Sequence, residues 1–493
     1  MRAWTILWLA LVMVAAWAGA PAASLAARLD QALRRSQSLN AAFTGIEVIE
    51  LNTGKVIYQN NADHLFVPAS NVKLFTSALA LRRLGPKYRF QTTVMATKAP
   101  DALGRVAGDI VWIGSGDPTL SGRAYPYRNN PYRNNTDELS LVSVGFLADQ
   151  IVAAGVHEVT GDIVGDDTRY PYEPHPGGWS AGDEQEAYGA PVSALIVNDN
   201  RFLVQVTPTE EGELAQAASV GMPPGLLIDN RVQCVAQGKL DVHIERTPAG
   251  AVLVTGTIPL KMAGVTEAVP VGDPAHSAAA FLRDALIQRG VNVHGSAIAR
   301  HRGNGENQPA WDGPVVARRT SPPLSDILQV VDKVSQNLHA EVLLREVGAV
   351  RLNRGTREAG LLELSALLQE FGVSKDDFVF SDGSGLSRDA LVTPAAIAKL
   401  LVAMYHADQP DLWMGLLPIG GVDGTLDHRF SHHREASRIQ AKTGSLSHVR
   451  ALSGYAQTKD GTPLAFSILI NNFGADTRLI SKFLDDAGLA LIQ

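Results

Sequence analysis

Three short polar patterns carry the chemistry of this sequence. Ser70 and Lys73 lie in "FVPASNVKLFTSALALRRLG", residues 66–85, where Val72, Leu74, Phe75, Ala78, Leu79 and Leu81 surround nearly the whole circumference of a helix stopped by Gly85-Pro86. Such a helix is buried. Three residues apart, the hydroxyl and the amine share one helix face and reach each other. Free N–H groups and the dipole at a helix N-terminus favour negative charge, so an oxyanion can be stabilised there. The same dipole, together with burial, pushes a lysine toward the neutral form that a base requires. The pair reads as serine nucleophile and lysine activator; the alternative is an N-cap serine beside a lysine that snorkels to solvent.

The second pattern is "SQN", residues 335–337, a polar break between two apolar-periodic segments. The Ser335 hydroxyl suits a proton shuttle toward a leaving amine, and the Asn337 amide can donate to a substrate carbonyl while accepting from a lysine. S-x-N also occurs at Ser38 and Asn40, so the pattern alone discriminates little. In the third, "AKTGSLSH", Lys442 and Thr443 end a strand with a cation and a hydroxyl that can hold a substrate carboxylate, and Gly444 lets a ligand lie close to the backbone. A plain strand end with a turn glycine is the alternative.

S-x-x-K and K-T-G each occur once, in the order S-x-x-K, S-x-N, K-T-G, the set used by serine β-lactamases and penicillin-binding proteins. With "GSGDPTLS", "GDDTRY", "YGAPVSALIVNDN", "DGSGLSR" and "LPIGGVDGTL" following one another, the chain resembles the class C low-molecular-mass penicillin-binding proteins, the D-alanyl-D-alanine carboxypeptidase/endopeptidase family. The resemblance spans essentially the whole mature chain. It implies that Ser70 forms an acyl-enzyme after losing its proton to Lys73. Ser335 and Asn337 would then serve the leaving group and the substrate amide, Lys442 and Thr443 the terminal carboxylate, and the N–H groups of Ser70 and Ser445 the oxyanion. It further implies peptidoglycan peptides as substrates, β-lactams as acylating inhibitors, and no cofactor. In this family the "GDDTRY" segment lies beside the cleft, which makes Asp167 the candidate partner for a diaminopimelate amine. A turn aspartate at a strand end is the other reading. Two rivals stand beside the peptidase: a β-lactamase-like hydrolase using the same set, and a noncatalytic penicillin-binding scaffold.

These residues need a frame. "TGIEVIEL" and "KVIYQN" around the turn "NTG" read as a hairpin, and "RIQAKTG", "SHVRALSGYAQT" and "PLAFSILINNF" as three closing strands. The expectation is an α+β transpeptidase-like domain whose five-stranded antiparallel sheet joins both ends of the chain, with helices on both faces. Between the ends, residues 88–318 turn rich in Gly, Pro and Asp with short alternating apolar runs. Two helix–Gly–strand echoes, ending near Gly155 and Gly290, suggest one inserted domain, 88–194 with 271–318, that encloses a second, 195–270. The catalytic domain is then 23–87 with 319–493.

Composition sets outer limits. A 45% hydrophobic and 19% charged chain is globular, and a net charge of -7 without a basic block argues against nucleic-acid partners. Residues 1–22 read as a signal peptide, with Arg2, an apolar run and a small-residue zone; an uncleaved anchor is the alternative. Export, with the periplasm as destination by family habit, follows from that reading. No cysteine follows the apolar run, which removes a lipid anchor there, and Cys234, the one cysteine, is expected to be a buried thiol. The C-terminal "RLISKFLDDAGLALIQ" reads as a packed helix, or as a peripheral membrane helix at most. His428, His432 and His433 have metal-compatible spacing without a supporting carboxylate or cysteine, so no metal site is expected.

Overall fold

The computed structural model describes residues 24–36, 39, 41–129, 138–247, 250–430 and 433–493. The signal-peptide reading therefore falls outside the described residues, as do Ser38, Asn40 and His432.

The five expected strands form one antiparallel sheet in the order Ile439–Leu446, Val449–Gln457, Pro463–Asn471, Phe43–Glu50, Val56–Asn60. Its side chains alternate between two cores, as a period of two requires. Ala465 and Leu469 face one core, with Leu74, Phe75, Leu79, Leu328, Leu343 and Ile397. Leu464, Phe466, Ile468 and Ile470 face the other, where Phe483, Leu484 and Leu491 of the helix Thr477–Ile492 meet Leu29 of the helix Leu25–Arg35. The C-terminal helix is thus packed on the sheet. Among the described residues no helix is long and apolar enough to cross a membrane.

Three helices position the site: α1 (Val72–Leu84), α2 (Leu324–Lys333) and α3 (Asn337–Leu352). In α1 every residue from Val72 to Leu81 is buried, and the Gly85 N–H closes the helix on the Leu81 carbonyl at φ +83°, a conformation suited to glycine. The sequence placed Ser70 in the first turn of this helix. Instead Ser70 occupies a 3-10 turn, Ala69–Asn71, that precedes α1, and Lys73 is the second helical residue.

Residues 91–166 and 274–320 contribute a second five-stranded sheet, ordered Ala297–Arg300, Ile163–Asp166, Ile110–Ile113, Gln91–Ala96, Val315–Thr320. The two echoes found in the sequence lie side by side in it: Ile163–Asp166 and Ala297–Arg300 pair in parallel, and their helices, Val142–Ala153 and Pro274–Ile287, share one core with Trp112 and Ile110. Residues 201–270 form two three-stranded sheets around a further core that contains the buried Cys234. Buried ion pairs tie these segments to α3. Glu346 accepts from Arg169 and from the hydroxyls of Tyr170 and Tyr88, and Asp199 accepts from His339 and Arg123. Each carboxylate is thereby satisfied where solvent cannot reach it, which is what a buried charge needs.

Candidate active site

The Lys73 amino group is fully buried and makes three contacts: Ser70 Oγ at 3.0 Å, Asn337 Oδ1 at 2.6 Å and the Ser384 carbonyl at 2.7 Å. Snorkelling is excluded by that burial. Burial first, and then the nearby charge of Lys442, hold Lys73 well below the ordinary lysine value, against the pull of Asp382, Glu341 and Asp332. A neutral amine has two N–H groups and one lone pair. With the N–H groups given to Asn337 and Ser384, the lone pair is left for the Ser70 hydroxyl, the arrangement of an activated nucleophile.

The Ser335 hydroxyl accepts from Lys442 Nζ at 2.8 Å, which leaves its own O–H free to donate toward the cleft. Ser335 joins α2 to α3 with φ +62°, a strained conformation for a non-glycine residue of the kind that collects at functional sites. Burial lowers Lys442 to about 8, with Asp332 opposing the shift. Asn337 is oriented from both ends, because its Nδ2 donates to the Tyr188 carbonyl at 2.8 Å. Thr443 Oγ1 lies 2.8 Å from Thr425 Oγ1, on a loop that Lys333 pins through the Leu417 carbonyl and Asp423.

Gly444 serves a different purpose from the one its position suggested. A Cβ there would stand 2.7 Å from the Pro68 carbonyl and 2.9 Å from Ala451 Cβ. The close approach is therefore made by this chain's own Ser70-bearing turn rather than by a ligand. Asn71 completes the docking of that turn by donating to Ser453 Oγ at 2.7 Å on the neighbouring strand.

The "DGSGLSR" loop, residues 382–388, buttresses the site. The Asp382 carboxylate accepts from Trp179 Nε1, Ser384 Oγ and the N–H groups of Gly385 and Ser387. Glu341 of α3 accepts from the N–H groups of Gly383 and Ser384. Six hydrogen bonds thus fix the loop whose Ser384 carbonyl holds Lys73. Burial, reinforced by Asp382, raises Glu341 to about 7.

Ser70, Ser335, Asn337, Thr443 and Ser445 line one cleft of about 450 Å³, together with Tyr188, Asp183, Arg388 and Thr425. Lys73, Lys442 and Gly444 lie buried behind it. Asp167 is not brought there. It is buried and held by His301 at 2.9 Å and Ser193 at 2.9 Å, so it has no freedom to meet a ligand in the cleft. The carboxylate that lines the cleft is Asp183, which sits in the acidic run "GDEQE" without a motif to announce it. His428 and His433 are exposed, and no cluster able to hold a metal occurs among the described residues.

Comparison with known proteins agrees with this geometry. The model of the D-Ala-D-Ala carboxypeptidase 3 (S13) family matches residues 25–486. A D-alanyl-D-alanine carboxypeptidase from Actinomadura sp. (strain R39) is 36% identical over 455 residues, covering 89% of this chain and 80% of the relative. The D-alanyl-D-alanine carboxypeptidase DacB of Haemophilus influenzae is 25% identical over 433 residues, covering 86% and 84%. The crystal structure of penicillin binding protein 4 (dacB) from Haemophilus influenzae matches the fold with a TM-score of 0.79 at 22% identity, covering 94% of this chain and 98% of that one. A match along almost the whole chain, joined to a relative above one-third identity, decides the assignment: the chain belongs to the D-Ala-D-Ala carboxypeptidase 3 (S13) family.

Proposed function

We propose that the protein is a serine-type D-Ala-D-Ala carboxypeptidase that also cuts peptidoglycan cross-links as a DD-endopeptidase, through an acyl-enzyme on Ser70. The observation that carries this reading is the buried Lys73 amine in contact with Ser70 Oγ, its other contacts taken by Asn337 and Ser384. Lys73 removes the Ser70 proton as Oγ attacks the carbonyl between two D-alanines. The N–H groups of Ser70 and Ser445 stabilise the oxyanion. Ser335, its oxygen held by Lys442, donates its proton to the departing amine and is reprotonated with the proton that Lys73 took from Ser70, so Lys73 is neutral again and Lys442 keeps its charge. Thr443, fixed by Thr425 and in the field of Lys442, takes the terminal carboxylate. Water then attacks the acyl carbonyl as the neutral Lys73 takes its proton, and Lys73 returns that proton to Ser70 Oγ as the acyl group leaves.

Asp183 replaces Asp167 as the group that meets an amine on the substrate side chain, across a cleft that Arg388 also lines. Asp183→Ala is expected to lower kcat/KM roughly tenfold for a peptide with an amine at that side chain and to leave an acetylated counterpart unchanged, the range of one exposed charged contact. Equal losses on both peptides would remove Asp183 from this role. The basic, apolar and small-residue layout of residues 1–22 supports export, and family habit the periplasm. The separate sheets and cores of residues 88–318 support the two nested inserted domains at the boundaries given above.

Benzylpenicillin tests the reading. The expected result is a persistent penicilloyl mass on the intact protein, mapped to the peptide containing Ser70, with D-alanine released from a D-Ala-D-Ala peptide by the untreated protein. Rapid turnover of penicillin without an adduct would instead indicate a β-lactamase-like hydrolase. An unmodified protein with penicillin intact would favour a scaffold.

A further inference from the structure

One buried charge has no part in this mechanism. Asp332 lies in the last turn of α2, three residues before Ser335, and is 0% exposed. Among the described residues the hydroxyl that acts on its carboxylate is that of Ser77 on α1, which has no other partner, and no cation is within hydrogen-bond distance of either oxygen. One hydroxyl does not offset the burial of a carboxylate, so its presence needs a compensating charge.

The surrounding charges come from every element packed here: Lys73 and Lys442 from α1 and the sheet, Lys333 from α2, Glu341 from α3, and Asp382 from the buttressing loop. Three of these five are committed to charged partners or donors of their own. Lys333 is bound to Asp423 at 2.6 Å, Glu341 to Arg345 and two backbone N–H groups, and Asp382 to four donors. That leaves Asp332 beside two buried lysines whose own contacts are all to neutral groups. Of the cations acting on Asp332, Lys442 acts most strongly, ahead of Lys73 and Lys333.

We infer that Asp332 is a positioning residue for charge: its carboxylate is the counter-ion that keeps the positive charge of the lysine pair on Lys442, leaving Lys73 neutral to act as base. The inference rests on the mechanism proposed above. A charged Lys442 serves the substrate carboxylate and Ser335, while its repulsion of Lys73 helps keep the base unprotonated. With Asp332 neutralised, burial of Lys442 goes unopposed and it loses its proton at lower pH.

The test is the pH profile of benzylpenicillin acylation for the mature protein, wild type and Asp332→Asn. Acylation of wild type at Ser70 checks the underlying mechanism separately, because its failure would appear before any variant is compared. The expected result for Asp332→Asn is an alkaline limb displaced toward neutral pH by about one unit or more, the range for loss of one close opposite charge, with near-normal rates on the acid side of that limb. Because the variant keeps the size of the side chain and removes a buried charge, it is expected to melt cooperatively. Asp332→Leu removes the same charge without adding amide donors, and provides the same comparison if the asparagine variant does not fold. An alkaline limb that stays in place, or a rate reduced equally at every pH, would overturn the inference.

Discussion

Lys73→Met is expected to slow acylation of Ser70 by roughly 10³- to 10⁴-fold, the upper part of the range for loss of a general base. Methionine keeps the length and flexibility of the side chain, so α1 can pack much as before, yet it offers no lone pair of comparable basicity to the Ser70 hydroxyl. It also breaks the bridge from Ser70 to Asn337 and Ser384, which pass through a single nitrogen at 3.0, 2.6 and 2.7 Å. The time course of penicilloyl mass on the intact protein measures the effect. A loss under about tenfold would mean that Lys73 only fills space and that another group takes the proton.

The pH dependence gives the same prediction a second edge. Burial holds Lys73 below its ordinary value, so wild-type acylation should rise with pH as the amine becomes neutral, and Lys73→Met should lose that rise. The sign for stability follows from proton counting. Below its folded value Lys73 is charged in both folded and unfolded chains, and the cost of burying that charge is fully expressed. As pH rises through that value the folded chain binds fewer protons than the unfolded one, and stability recovers.

Much of this site could be read from the sequence because its key residues stand in short fixed spacings. Ser70 and Lys73 declare each other across one helical turn, and the Lys442-Thr443-Gly444 run ends a strand whose alternation is plain. The strands Phe43–Glu50 and Pro463–Asn471 lie at opposite ends of the chain, yet both show the apolar alternation that allows them to pair. What stayed hidden depends on backbone atoms or on long-range folding. The Ser384 carbonyl that holds Lys73 has no side-chain signature, and its loop is 311 residues away from that lysine. Asp167 stood in a promising segment, but nearness in sequence to a cleft motif does not say which way a carboxylate faces. Here the facing residue is His301, supplied by the far half of the same inserted sheet region. Asp332 is invisible for a related reason: in α2 it reads as an ordinary helical acid, and only the folded protein shows it fully buried near two active-site lysines.

Gly385→Ala is the second substitution with a large expected effect, and its cause is steric. Gly385 has φ +78°, and a Cβ there would stand 1.9 Å from the Ala69 carbonyl oxygen and 3.0 Å from Val72 Cγ2. Either the loop or the Ser70-bearing turn must move, and both hold Lys73. The left-handed conformation and the overpacking together cost about 3 kcal/mol of stability. A displacement near 1 Å at the nucleophile costs on the order of 100-fold in acylation rate. Gly54→Ala separates these causes, because Gly54 has φ +70° with no atom within 4 Å of the added Cβ. That variant should lose only the roughly 1 kcal/mol of backbone strain and acylate at the wild-type rate. Thermal melting and penicilloyl kinetics on the two variants decide the matter. If Gly385→Ala acylates as fast as Gly54→Ala, the close approach of the buttressing loop to the Ser70 turn does not set the geometry of the nucleophile, and Asp382 and Glu341 hold that loop for stability alone.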